Sequence, residues 1–141
     1  MIVVDSSVWI DFFNGKSSPQ TSKLQSFMGE EPLLVGDLIL CEILQGARTE
    51  ALARVLEETL HKFDQVAMLN PDLAIAAAKN YRILRSKGIT IRKTIDLIIG
   101  TFCIAHQHTL LHDDRDFDPM KTYLGLRTVL APANVNEPPA R

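Results

Sequence analysis

Short uninterrupted apolar runs alternate along this chain with longer segments whose apolar residues recur every three or four positions. The first kind reads as buried strands and the second as amphipathic helices. Residues 1–4 form the first run and stop at Asp5-Ser6-Ser7, after which Val8, Trp9, Phe12 and Phe13 follow helical spacing with their faces toward a core. A loop over 14–18 leads to Pro19, which suits the first position of a helix over 19–28 closed by Gly29. Residues 32–36 read as a second strand, and Asp37 as the cap of a helix reaching Gly46. A helix over 49–62 follows, with apolar positions at Leu52, Val55, Leu56 and Leu60, and then a third strand over 65–69. Asn70-Pro71-Asp72 opens a long helix over 73–86, which Lys87-Gly88 ends. Thr94 can cap a helix over 95–107, strand four fits 109–112 and strand five fits 126–130.

Strands separated by helical connections indicate an α/β fold, with a mainly parallel five-stranded sheet between two layers of helices. Residues 131–141 carry three prolines and little that can pack, so residues 1–130 are read as one domain and the rest as a mobile tail or part of a partner contact. At 141 residues the chain is long enough for a core of its own.

Composition narrows the class. Hydrophobic residues make up 46% of the chain and charged ones 23%, as in soluble globular proteins. Asp5 interrupts the apolar start before a signal peptide can form, and the most apolar helix contains Asp96 and is too short for a bilayer. Cys41 and Cys103 lie in apolar segments without a second cysteine at metal spacing, and are expected to be buried free thiols of a reducing cytoplasm. A net charge of −2 argues against a general nucleic-acid coat, yet the charges are unevenly spread. Between Leu73 and Ile95 stand Lys79, Arg82, Arg85, Lys87, Arg92 and Lys93 and no acidic residue, the strongest charge asymmetry in the sequence.

Chemistry enters through the acids. Asp5 follows strand one, Asp114 and Asp116 follow strand four, Glu42 is the one charge between Leu38 and Leu44, and Asp96 opens a helix. In a parallel sheet these positions gather at the carboxyl ends of the strands, where ligands bind. Capping alone is a sufficient role for Asp96 by itself. Crowded carboxylates, however, repel one another unless they share a cation. Oxygen ligands suit Mg²⁺ or Mn²⁺, and such a centre performs phosphoryl chemistry on water and phosphate. A phosphate backbone approaching it needs cations at the rim, which the basic stretch supplies.

The blocks Asp5-Ser6-Ser7, Glu42-Ile-Leu-Gln-Gly46, Thr94-Ile-Asp96-Leu-Ile-Ile and Leu110-Leu-His-Asp-Asp114-Arg-Asp116-Phe117 resemble, in order and spacing, the four acidic motifs of PIN-domain ribonucleases, and most of all VapC-like toxins. The resemblance spans residues 1–130. It implies a PIN-like three-layer sandwich and a Mg²⁺- or Mn²⁺-dependent endoribonuclease with Asp5, Glu42, Asp96 and Asp114 as the catalytic quartet. Asp5, Asp96 and Asp114 are then the metal ligands, Asp116 an accessory acid, and Ser6 and Thr94 small hydroxyl neighbours. Lys79, Arg82, Arg85, Arg92 and Lys93 are the RNA-binding candidates. The family also implies a homodimer, a cognate antitoxin and a cytoplasmic location without membrane contact. The acidic run from Asp113 onward departs from the family pattern, and Asp114 is taken as the fourth acid because Asp113 should alternate away from the site.

Other assignments are mainly structural. Asp11 reads as a solvated or capping residue, His106 and His108 as surface histidines without zinc partners, His112 as a strand-end residue with contact to RNA as the alternative, and Trp9, Phe12 and Phe13 as core. Three other functions fit less of the chain. A haloacid-dehalogenase-like phosphatase needs an acid where Ser7 stands, a phosphoacceptor domain needs one where Leu69-Asn70 stands, and an inactive PIN-like binding module has no use for concentrated acids.

Overall fold

The computed structural model describes residues 1–129, and the expected tail, with the end of the expected fifth strand, lies outside them. Its centre is a five-stranded sheet in the order β3-β2-β1-β4-β5, with β1 (Ile2–Val4), β2 (Leu33–Gly36), β3 (Asp64–Val66), β4 (Thr109–Leu111) and β5 (Arg127–Thr128) all pairing in parallel. The inner strands β1, β2 and β4 are covered on both faces, which is why they read as apolar runs rather than alternating ones, while the edge strands β3 and β5 are largely exposed. Val3, Val4, Val35, Leu110 and Leu111 are fully enclosed.

Helices cover both faces. On one side α1 (Ser6–Phe13) packs with α2 (Pro19–Phe27) and α3 (Asp37–Gln45), and α3 packs with α4 (Glu50–Leu60). On the other, α5 (Pro71–Ser86) packs along α6 (Thr94–His106) and meets α7 (Asp118–Leu124). The three-layer α/β sandwich is therefore the one the alternation of strands and helices implies. Pro19 and Pro71 occupy first-turn positions of their helices, behind Ser18 and Asn70 as side-chain caps. Helix α6 is buried from Asp96 through Cys103, so it has no polar face over that stretch and works as a core element.

The chain moves outward from β1 to β2 and β3, then returns through α5 and α6 to β4 on the other side of β1. Strand order thus reverses between β1 and β4, and the crevice at their carboxyl ends is the natural ligand position. The Asp5 N–H extends this junction by donating to the Leu111 carbonyl at 2.9 Å.

Several local expectations need correction. Strand three ends at Val66 rather than residue 69, because the Met68 N–H donates to Asp37 Oδ1 at 3.0 Å instead of joining the ladder. Asp37 is the first residue of α3 rather than its cap, and Gly36 takes the cap position. Likewise α6 is capped by the Lys93 backbone without a side-chain bond, and Thr94 is already helical. Helix α7 was not foreseen: only Met120 of its seven residues is buried, too little for an apolar period. Cys103 is buried, but Cys41 is exposed on the outer side of α3.

Gly36 permits a close approach at the edge of the site. A Cβ there would overlap three side-chain atoms of the buried Met68. Gly36→Ala is therefore expected to cost ~1–3 kcal/mol through overpacking, measurable by urea unfolding, and to add much less to the cost of Met68→Ala, in which the overlapping atoms are gone.

Candidate metal centre

Each acid reaches the crevice by a different local device. Asp5 ends β1 and is the N-cap of α1, its Oδ2 accepting from the Ser7 N–H at 3.3 Å and from the Ser7 hydroxyl at 2.7 Å. These bonds fix the carboxylate and leave Oδ1 buried without a hydrogen-bond partner among the described residues. Glu42 projects from α3 and its Oε1 accepts from the Ser6 hydroxyl at 2.9 Å, so adjacent serines hold two of the acids. Asp96 lies in the first turn of α6, only 5% exposed, with Oδ2 buried and unpartnered. Asp114 follows β4, where its Oδ1 caps a 3₁₀ turn by accepting from the Asp116 N–H at 2.9 Å.

Carboxylate oxygens of Asp96, Asp114 and Asp116 come within 4.8 Å of one another. Such proximity is unfavourable for bare anions, and the proton affinities record it. Burial, then the charges of Asp5 and Asp114, push the Asp96 carboxyl up to about 7 against the weaker opposing pull of Lys93, and Glu42 adds to the repulsion. Burial also raises Asp5, against the Ser7 hydrogen bonds that favour its ionised form. The field at Asp96 thus joins all four acids of the expected quartet. Asp116, expected only as an accessory, is in the tightest group.

The hydrogen bonds that Ser7 and His112 make to the acids were not expected from the sequence. Ser7 could have been found from the N-cap spacing, in which the residue two after an aspartate donates to it. His112 gives no such signal: its Nδ1 accepts from the Asp114 N–H at 3.2 Å, a contact created by the turn after β4. Asp11 pairs with Lys16 at 3.6 Å and stays outside the centre. His106 and His108 lie with Phe102 at the opposite end of β4, with no cluster of metal-ligand spacing among the described residues.

The cations divide into two groups. Arg92 bonds Asp116 at 3.2 Å while remaining exposed, and Lys93 acts electrostatically on Asp96. Arg82 and Arg85 instead border a trough of about 410 Å³ between α5 and α6, floored by Ala77, Ala78, Leu97 and Ile98, with Thr94 on its wall. Lys79 is exposed on α5. The buried, unpartnered oxygens of Asp5 and Asp96 and the all-oxygen donor set fit a hard divalent cation.

The profile of the PIN domain family matches residues 2–122. Ribonuclease VapC11 of Mycobacterium tuberculosis is 32% identical over 123 residues, covering 84% of this chain and 90% of that protein. Among solved structures, VapBC2 from Rickettsia felis bound to a promoter DNA fragment superposes with a TM-score of 0.73 at 16% identity, covering 92% of this chain and 98% of the other. VapBC-1 from nontypeable Haemophilus influenzae gives 0.70 at 16% identity, over 92% and 97%. A family match over residues 2–122 and 32% identity across most of both chains agree: this chain belongs to the PIN domain family, among the VapC ribonucleases.

Proposed function

We propose that the chain is a Mg²⁺- or Mn²⁺-dependent endoribonuclease, the toxin of a toxin–antitoxin pair. The observation that carries this reading is the convergence of Asp96, Asp114 and Asp116 beside the unpartnered buried oxygens of Asp5 and Asp96. Asp5, Asp96 and Asp114 hold the divalent ion, and Asp116 completes their acidic wall. When bound, such an ion neutralises phosphate charge and lowers the pKa of the attacking water. Glu42, steadied at Oε1 by Ser6, would have Oε2 left to accept a proton from an attacking water. The Ser7 hydrogen bonds orient the Asp5 carboxylate and partly offset the burial that raises it.

RNA reaches the acids over the exposed cations Arg92 and Lys93, with Lys79, Arg82 and Arg85 extending the positive surface along α5. Arg92 has two uses here. Without RNA it partly neutralises Asp116, and with RNA it can turn to a phosphate. Arg92→Ala is therefore expected to tighten Mn²⁺ binding by ~2–5-fold, in line with one exposed ion pair, while weakening RNA binding. Calorimetric titration of each ligand would check the opposed signs.

The partners belong to the same proposal. Several structural neighbours were solved as VapBC complexes, which supports a cognate antitoxin. An apolar trough between Ile10, Phe13, Ile43, Leu52 and Val55 offers a protein-binding surface. Leu69 on the α5–α6 trough and Ile75 on α5, exposed to 44% and 70%, support a homodimer. No helix among the described residues is long and apolar enough to cross a membrane, and the free Cys41 and Cys103 accord with a cytoplasmic location.

The test is cleavage of mixed structured and single-stranded RNAs by the purified chain, with Mg²⁺, with Mn²⁺ and with chelator, beside Asp5→Asn. Cuts that require the metal and vanish in the variant are expected. Cuts that persist with chelator or in Asp5→Asn would refute the shared-metal scheme.

A further inference from the structure

Next to the acids lies a cavity of about 490 Å³ that the chemistry so far leaves unused. Asp114 belongs to its wall and to the metal centre, so the two spaces adjoin. From α2 comes Gln20, from α7 come Lys121 and Thr122, and from β5 comes Thr128. The volume lies in the range of small-molecule sites. Arg115, Asp113 and Asp118 complete the wall, so its chemistry mixes two cations, an amide and hydroxyls with carboxylates that can accept from a base's amino and imino groups, which suits a phosphorylated ligand with a polar ring edge better than an apolar one.

His112 adds an independent indication. A backbone N–H can only donate, so Nδ1, which receives the Asp114 N–H, must carry the lone pair. The imidazole proton therefore sits on Nε2. One ring face lies against Phe117, with centroids 4.9 Å apart, and the side chain also lines the cavity. No protein acceptor for Nε2–H is found among the described residues, so this donor is available to a ligand.

We propose that this cavity is a nucleotide subsite, holding the ribonucleotide next to the scissile phosphate. This placement rests on the endoribonuclease reading. Lys121 meets the nucleotide's own phosphate, while Gln20 and His112 Nε2–H read hydrogen-bonding groups on its base. Base edges exposed in single-stranded RNA are the kind such side chains distinguish. The acids then set where the bond breaks, and the cavity sets which nucleotide stands beside it.

Two measurements test this on the full chain with Mg²⁺ present. The four 5′-nucleoside monophosphates are titrated while amide NMR shifts are followed, and a randomised single-stranded RNA pool is cleaved and its new ends sequenced. Saturable shifts at Gln20, Thr122 and Thr128 are expected, with one base preferred. Lys121→Met should weaken nucleotide binding by ~3–10-fold whatever the base, and Gln20→Ala should reduce the base preference by ~5-fold or more, as for loss of phosphate and base contacts respectively. Mn²⁺ affinity should be unchanged in both, and Lys62→Met, which removes an exposed cation elsewhere, should leave nucleotide binding as it was. Absence of shifts at the cavity, or variants with wild-type nucleotide affinity and cut-site preference, would overturn the subsite. Nucleotide binding in the cavity without any RNA cleavage would instead overturn the endoribonuclease reading and the placement beside a scissile phosphate.

Discussion

Asp96→Asn is expected to lower RNA cleavage by ~100-fold or more, the scale set by loss of groups that merely support metal ligands, and to make the metal-free protein more stable at pH 8. The two effects share one cause. Asp96 is buried among acids that repel it, and its carboxyl is raised from 3.8 to about 7. The folded state therefore binds this proton more tightly than the unfolded chain does. Stability is highest below the unfolded value near 4, falls as pH rises through about 7, and levels off above it. At about 1.4 kcal/mol per pKa unit, the cost of ionising Asp96 in the fold is on the order of 4 kcal/mol. Asparagine removes the charge but buries an amide that needs partners of its own, so a net gain of ~1–3 kcal/mol remains. Thermal melting of chelated wild type and variant at pH 5 and pH 8 measures it. A rise of ~3–10 °C is expected at pH 8, with little difference at pH 5, where wild-type Asp96 is already protonated. A variant no more stable than wild type at pH 8 would mean that the acids are not strained without metal.

Stability is thus given up where the site needs charge, and that conflict also decides what could be read from sequence. Strand runs such as 1–4 and 109–112 were legible because both faces of the sheet are covered there and their central residues, Val3, Val4, Leu110 and Leu111, must be apolar. Convergence of Asp5, Asp96 and Asp114 was legible because parallel strands carry their loops to one edge. Other features depended on contacts between segments remote in sequence. Met68 leaves the third strand for Asp37, thirty-one positions earlier, and nothing in the pattern over 65–69 announces it. The 3₁₀ turn after β4 brings Asp116 level with Asp114, which a residue count along an irregular loop does not reveal. Cys41 sits in an apolar helix yet faces outward, since α3 buries fully only Ile39 and Ile43. Thr94 had the right residue type for a cap but stands one position too late.

Mn²⁺ is expected to stabilise the protein strongly at pH 8 and little at pH 5. An ion present at a hundred times its dissociation constant adds ~2.7 kcal/mol to folding stability. To bind the acids it must displace whatever protons they hold. Above about 7 Asp96 is ionised and the ion relieves repulsion directly. Below that, each pH unit costs ~10-fold in affinity for every proton released. Asp96 alone then predicts a loss of ~100-fold between pH 7 and pH 5, and Asp5, also raised by burial, steepens the dependence. Melting temperatures with and without Mn²⁺ across pH 5 to 8 measure this, and Asp96→Asn supplies the control. In the variant the Mn²⁺-induced shift should be small at every pH, because a ligand and its competing proton have been removed together. A shift of equal size at pH 5 and pH 8 would place the bound ion away from Asp96. If the wild-type shift followed the expected dependence but Asp96→Asn retained it, the titrating ligand would be another acid of the group, and the metal would rest on Asp5 with Asp114 and Asp116.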